Sequence, residues 1–151
     1  MEQVVRIVRK VFFSSAVRYH NPLLSESENQ KIYGSLWSHH GHGHNYGLEA
    51  HVEGKVRPDS GMVMSLRALD EILKSIAIQF DHKHINLDVP AFSNTVPTTE
   101  KIALYIFDLA KKQIQKSEPD LKLHKIRLIE SEDVWIDVVN SSGGNDLAPD
   151  I

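Results

Sequence analysis

His39-His40-Gly41-His42-Gly43-His44-Asn45-Tyr46 places four of the chain's nine histidines within six residues, beside two glycines that let the backbone turn tightly. His42 and His44 are two apart, so with Gly43 extended both imidazoles leave one face of the backbone. Two imidazoles on one face suit zinc or a similar ion, which needs three or four such donors. The alternative is a hydrogen-bonded structural pair. With no cysteine in the chain, a thiolate ligand, a thiol nucleophile and a disulfide scaffold are all excluded.

Outward from this stretch the pattern predicts an α+β domain. Val4 to Ala16 is rich in β-branched and aromatic residues and reads as a long strand. Asn21-Pro22 breaks it, and Leu23 to Tyr33 carries a weak helical pattern before the histidine-rich loop. Tyr46 to Val56 alternates, with Leu48, Ala50 and Val52 on one face and Glu49, His51 and Glu53 on the other. Arg57-Pro58-Asp59-Ser60-Gly61 has turn chemistry. Ser65 opens a helix whose apolar stripe runs Leu66, Leu69, Ile72, Leu73, Ile76, Phe80, and Pro97-Thr98-Thr99-Glu100 opens another. Leu123–Ile129 and Val134–Val139 read as a closing hairpin, with Glu130 at its bend. The order ββααββ predicts a four-stranded antiparallel sheet with helices on one face, in a single domain over 1–140. Residues 141–151, opening Ser141-Ser142-Gly143-Gly144, are expected to form a flexible tail. The two free edges of such a sheet are commonly hidden by oligomerisation.

Composition narrows the function classes. Hydrophobic residues at 41% and charged residues at 25% describe a soluble globular protein, and a net charge of −3 gives no reason to expect nucleic-acid binding. No apolar run approaches the roughly 20 residues of a membrane helix. Met1-Glu2-Gln3 leads straight into strand-like sequence with no apolar signal core, so a cytoplasmic location is expected.

Six pieces in order carry a family resemblance: Phe13-Ser14-Ser15-Ala16 with His20-Asn21-Pro22, Gly41-His42-Gly43-His44-Asn45-Tyr46, Gly61-Met62-Val63, Asp81-His82-Lys83, Pro97-Thr98-Thr99-Glu100, and Glu130. From about Phe13 to about Val139 the chain resembles the 6-pyruvoyltetrahydropterin synthases and the related 6-carboxytetrahydropterin synthases. The resemblance implies a tunnelling fold, in which trimers close their sheets into a barrel and two trimers stack as a hexamer with active sites between subunits. It implies a zinc held by three histidines, two of which match His42 and His44. The third belongs to a Phe-Ser-x-x-His-Arg pattern that here reads Phe13-Ser14-Ser15-Ala16-Val17-Arg18, so Val17 stands at the ligand position. His20, His39 and His40 are the candidate substitutes. The family's catalytic base is a cysteine in Gly-x-Cys, and Gly34-Ser35-Leu36 puts Leu36 in its place.

Asp81 and His82 match the family's Asp–His pair, in which the carboxylate orients the imidazole as a general base; the alternative is a helix C-terminal cap. Glu130 with Thr98 and Thr99 matches the pterin anchor, a carboxylate accepting the two N–H groups of an aminopyrimidinone edge. Their ordinary readings are a solvated turn acid and helix capping. Three functions follow: a synthase eliminating triphosphate from 7,8-dihydroneopterin triphosphate or cleaving its side chain, with weak standard lyase activity; a non-catalytic pterin- or purine-binding protein; or a different reaction on a related heterocycle, using His39 or His40 in the space Leu36 leaves.

Overall fold

A computed structural model describes residues 3–141, so the expected tail lies, Ser141 apart, outside the described residues. The elements are β1 (Val5–Val17), α1 (Glu26–Tyr33), β2 (His42–Gly54), α2 (Leu66–Ala77), β3 (Lys83–His84), α3 (Ile85–Asp88), α4 (Thr99–Ser117), β4 (Lys122–Ser131) and β5 (Val134–Val139). The α+β plan is the expected one, but the sheet is mixed and five-stranded, in the order β3-β1-β2-β4-β5. The additional strand, β3, lies parallel to β1 at Ser15 and Ala16. Two residues are too short to show a hydrophobic period, which is why alternation misses it.

β1 pairs with β2 in one antiparallel register from Val5 opposite Gly54 to Val17 opposite His42. Side chains alternate across the sheet, so Phe13, Ser15 and Val17 share a face with Tyr46, Leu48, Ala50 and Val52. α2 and α4 cover this face and are held to it by Leu69, Leu73, Ile76, Ile102, Ile106 and Ala110, all without exposed surface. Ser65 caps α2 by accepting from the Ala68 N–H, and Thr98 caps α4 by accepting from Lys101. Burying each large aliphatic side chain contributes about 1.5–3 kcal/mol, and that contribution holds these helices on the sheet. α2 stops at Ala77 although its apolar stripe continues to Phe80. Ser15 Oγ donates to the Phe80 carbonyl at 2.5 Å and His82 N–H to the Ser14 carbonyl at 2.7 Å, so β1 draws the chain out of the helix. Two further boundaries differ from expectation. His42 and His44 already lie in β2, and Glu130 lies in β4 rather than at the bend. Among the described residues no helix is long and apolar enough to cross a membrane.

The other face carries charge. Glu49 bonds His51 at 2.9 Å, Arg6 pairs with Glu53, and the Arg127 guanidinium holds the Asp137 carboxyl below the usual range. Burial pushes the His51 and His124 imidazoles down from 6.5. A histidine whose folded pKa is depressed supports stability above its unfolded pKa and withdraws that support as pH falls through the folded value. Urea unfolding should therefore show stability holding above about pH 6.5 and declining below it, and His51→Gln should flatten part of that decline.

Candidate functional site

The first cluster is built where β1 and β2 end. Gly41 approaches the β1 backbone so closely that a Cβ would collide with the Val17 carbonyl oxygen, and its φ of +80° also favours glycine. From this turn β2 sends both imidazoles to the helix-covered face. The His42 and His44 rings lie 4.9 Å apart and nearly perpendicular, at 85°. The Nε2 atoms of both are buried and without a hydrogen-bond partner. Burial, reinforced by the His44 charge and opposed by Glu130, lowers the His42 pKa.

β4 and α4 supply the rest. Thr99 Oγ1 donates to Glu130 Oε1 at 2.9 Å, and the same oxygen lies 3.4 Å from His44 Nε2. Thr98 and Thr99 thus divide their tasks: Thr98 caps the helix and Thr99 holds the carboxylate. Glu130 is about one-fifth exposed, which excludes its reading as a freely solvated turn acid. Sequence reasoning passes over Tyr19. This residue is 7% exposed, and its ring meets His42 edge-on at 5.5 Å. Its signal is in the chain all the same, because Tyr19 continues the alternation of Phe13, Ser15 and Val17.

The second cluster lies at the β1–β3 edge. A cleft of about 480 Å³ is lined by Ser14, Asn45, His44, His82, Lys83 and His84, among others. Asp81 Oδ1 accepts from the Ser14 N–H at 2.9 Å, while its Oδ2 stands 3.6 Å from His82 Nε2, beyond hydrogen-bond length. His82 is 84% exposed by side chain and has a φ of +59°, the one positive φ at a non-glycine among the described residues. Within one chain, then, Asp81 braces β1 more firmly than it orients His82. The structure joins His42, His44, Thr99 and Glu130 in one cluster and sets Asp81 and His82 in another, with His44 bordering both.

Val17 is fully buried opposite His42 and offers only methyl groups. His20 is occupied by the Trp37 indole N–H, which donates to its Nδ1 at 3.1 Å. His39 leans on the Trp37 ring and toward Glu26, and His40 is exposed. Burial pushes the Tyr19 phenol up from its ordinary value. Among the described residues no group of three or more His, Cys, Asp or Glu is arranged to hold an ion. Two orphaned imidazole nitrogens fit half of a zinc centre, and the remaining donors are missing. Leu36, about half exposed, ends the 3₁₀ turn Gly34–Leu36 and carries no titratable group. Thr99→Val should cost about 1–2 kcal/mol in urea unfolding, because it leaves the half-buried Glu130 carboxylate without its donor.

Comparison with known proteins places this geometry in context. The family model described as 6-pyruvoyl tetrahydropterin synthase matches residues 6–141. The chain is 40% identical over 126 residues to a 6-pyruvoyl tetrahydrobiopterin synthase of Poecilia reticulata, covering 82% of this chain and 86% of that one. Against the 6-pyruvoyl tetrahydrobiopterin synthase of Homo sapiens the identity is 37% over 128 residues, covering 84% and 86%. The solved structure of the Caenorhabditis elegans 6-pyruvoyl tetrahydropterin synthase superposes with a TM-score of 0.86 at 33% identity, covering 93% of this chain and 98% of that one.

Proposed function

The chain belongs to the 6-pyruvoyl tetrahydropterin synthase family, and from that premise we propose that it binds a pterin through Glu130 and performs the family's triphosphate elimination only weakly. The observation that carries this reading is the Thr99–Glu130 hydrogen bond beside His44, which presents a fixed, half-buried carboxylate. Such a carboxylate matches the paired N–H donors of an aminopyrimidinone edge. Anchor residues are intact, while Val17 and Leu36 occupy the two positions where the resemblance calls for chemistry.

Each catalytic group contributes typically 10²–10⁴-fold, so loss of a metal ligand and of a base removes several orders of magnitude. Proton transfer falls to His82, whose exposed imidazole is suited to a site completed by a neighbouring subunit. The outer edge of β5, and that of β1 outside its two-residue pairing with β3, support assembly into the hexamer that the family resemblance implies. Light scattering should then give six chain masses.

Turnover of 7,8-dihydroneopterin triphosphate, followed by chromatography of the products, should be slower than that of an intact relative by at least about 10³-fold. Rapid turnover by the unaltered chain overturns the weak-activity reading. Glu130→Gln should weaken pterin binding by about tenfold or more, since the carboxamide presents an N–H donor where an acceptor is needed. Val17→His combined with Leu36→Cys should restore zinc binding and part of the activity. A folded, zinc-loaded and inert double variant would place the loss elsewhere.

A further inference from the structure

Ala16 and Gly43 stand opposite each other in the β1–β2 register and together offer the sheet a single methyl group. The gap they leave underlies the cleft of about 480 Å³ at the β1–β3 edge. Ser15 turns its hydroxyl to the Phe80 carbonyl on the helix-covered side, so alternation turns Ser14 and Ala16 to the opposite face. The floor of the cleft therefore faces away from the His42 and His44 imidazoles. Ser14 Oγ donates to Asn45 Oδ1 at 2.6 Å, which fixes the carboxamide and leaves both Nδ2 N–H donors without a partner among the described residues. β3 supplies the other wall, with Lys83 beside Ser15 and His84 beside Ala16 in parallel register. The Lys83 side chain is exposed and makes no ion pair among the described residues. His84 Nδ1 is buried and unpartnered, so the proton of the neutral ring is better placed on Nε2, as a donor.

We propose that this cleft is an oxyanion site for a ligand of the phosphate class, with Asn45, Lys83 and His84 as its donors. An ammonium, a carboxamide N–H₂ and the His82 and His84 imidazoles border it, and no carboxylate does. Asp81 and Asp88, the acids nearest in sequence, each accept a backbone N–H, from Ser14 at 2.9 Å and from His84 at 2.8 Å, and neither lines the cleft. Donors without matching acceptors suit an anion and repel a cation. Phosphate oxygens accept charge-assisted bonds from such groups, about twice as strong as neutral ones. Two sources carry this chemistry: the phosphate chain of the substrate proposed above, which rests on that reading, and free phosphate or polyphosphate, which does not.

Inorganic triphosphate, titrated calorimetrically into the full-length chain in metal-free chloride buffer, should bind saturably, and more weakly as salt is added. Asn45→Asp keeps the oxygen that accepts from Ser14 and replaces two donors by a second carboxylate oxygen, so it should weaken triphosphate binding by at least about tenfold. Lys83→Ala removes an exposed side chain, which leaves folding intact, and should weaken binding about fivefold and flatten its salt dependence. Ala16→Val fills the gap with a strand-forming residue and should weaken binding about fivefold without touching a donor. Triphosphate that fails to bind, or that binds Asn45→Asp and Lys83→Ala as it binds the unaltered chain, overturns the proposal. Competition separates the two sources. Inorganic triphosphate that displaces dihydroneopterin triphosphate but not neopterin marks the substrate's own phosphates; displacement of neither marks free phosphate. Neopterin, which bears no phosphate, should bind Asn45→Asp within about twofold of the unaltered chain. Failure of the unaltered chain to bind neopterin would overturn the pterin reading, and the triphosphate titration would still decide this one.

Discussion

The unbroken antiparallel register of β1 on β2 sets the terms for everything built around it. Because Val5 lies opposite Gly54, Val17 must lie opposite His42, twelve residues along, and side-chain parity follows for both strands. One face then receives Phe13, Val17, Tyr46, Leu48 and Ala50 and is closed by α2 and α4, and the other receives Arg6, Glu49, His51 and Glu53. A slip by one residue would turn His42 and His44 away from Glu130 and bury the charged row. Several large aliphatic side chains at about 1.5–3 kcal/mol each stand against such a slip, and they leave no freedom for the histidines to move independently.

This rigidity explains how the site can hold its shape with Val17 and Leu36 at the positions where the family resemblance implies a histidine and a cysteine. His42, His44, Thr99 and Glu130 are carried by three elements whose packing does not depend on a metal: β2, β4 and the capped first turn of α4. Thr98 caps the helix, so Thr99 is free to spend its hydroxyl on Glu130. Tyr19 completes the arrangement from the segment just after β1, with its ring on His42. The cluster at the β1–β3 edge is held differently, by Asp81 and the His82 backbone bonding to Ser14. That attachment fixes the edge and leaves the His82 imidazole in solvent.

Much of the fold was legible because it rests on local rules. Alternation from Tyr46 to Val52, the stripe from Leu69 to Ile76 (Leu66 being half exposed), and the Ser65 and Thr98 caps all appear in the structure where the pattern predicts them. Residues set by partners distant in sequence were not legible. β3 exists because Ser15 and Ala16 offer it a free edge, α2 ends early because Ser14 and Ser15 take the Phe80–His82 backbone, and Glu130 joins β4 rather than the bend because it pairs with Thr99. Tyr19 was overlooked for the same reason, since its significance comes from its ring contact with His42 on the next strand.

By itself the sequence determined the α+β plan, the family resemblance, the set of histidines available, and the replacement of two expected functional positions by Val17 and Leu36. These are matters of residue type and short-range period, which need no partner to be read. Tertiary structure alone decided which groups meet. It separated Asp81 and His82 from the His42–His44 cluster, engaged His20 with Trp37, and brought Tyr19, Thr99 and Glu130 around the histidine pair. The physical reason is that hydrogen bonds and ring contacts act over a few ångströms, and distances that short between remote residues are set by strand register and helix packing.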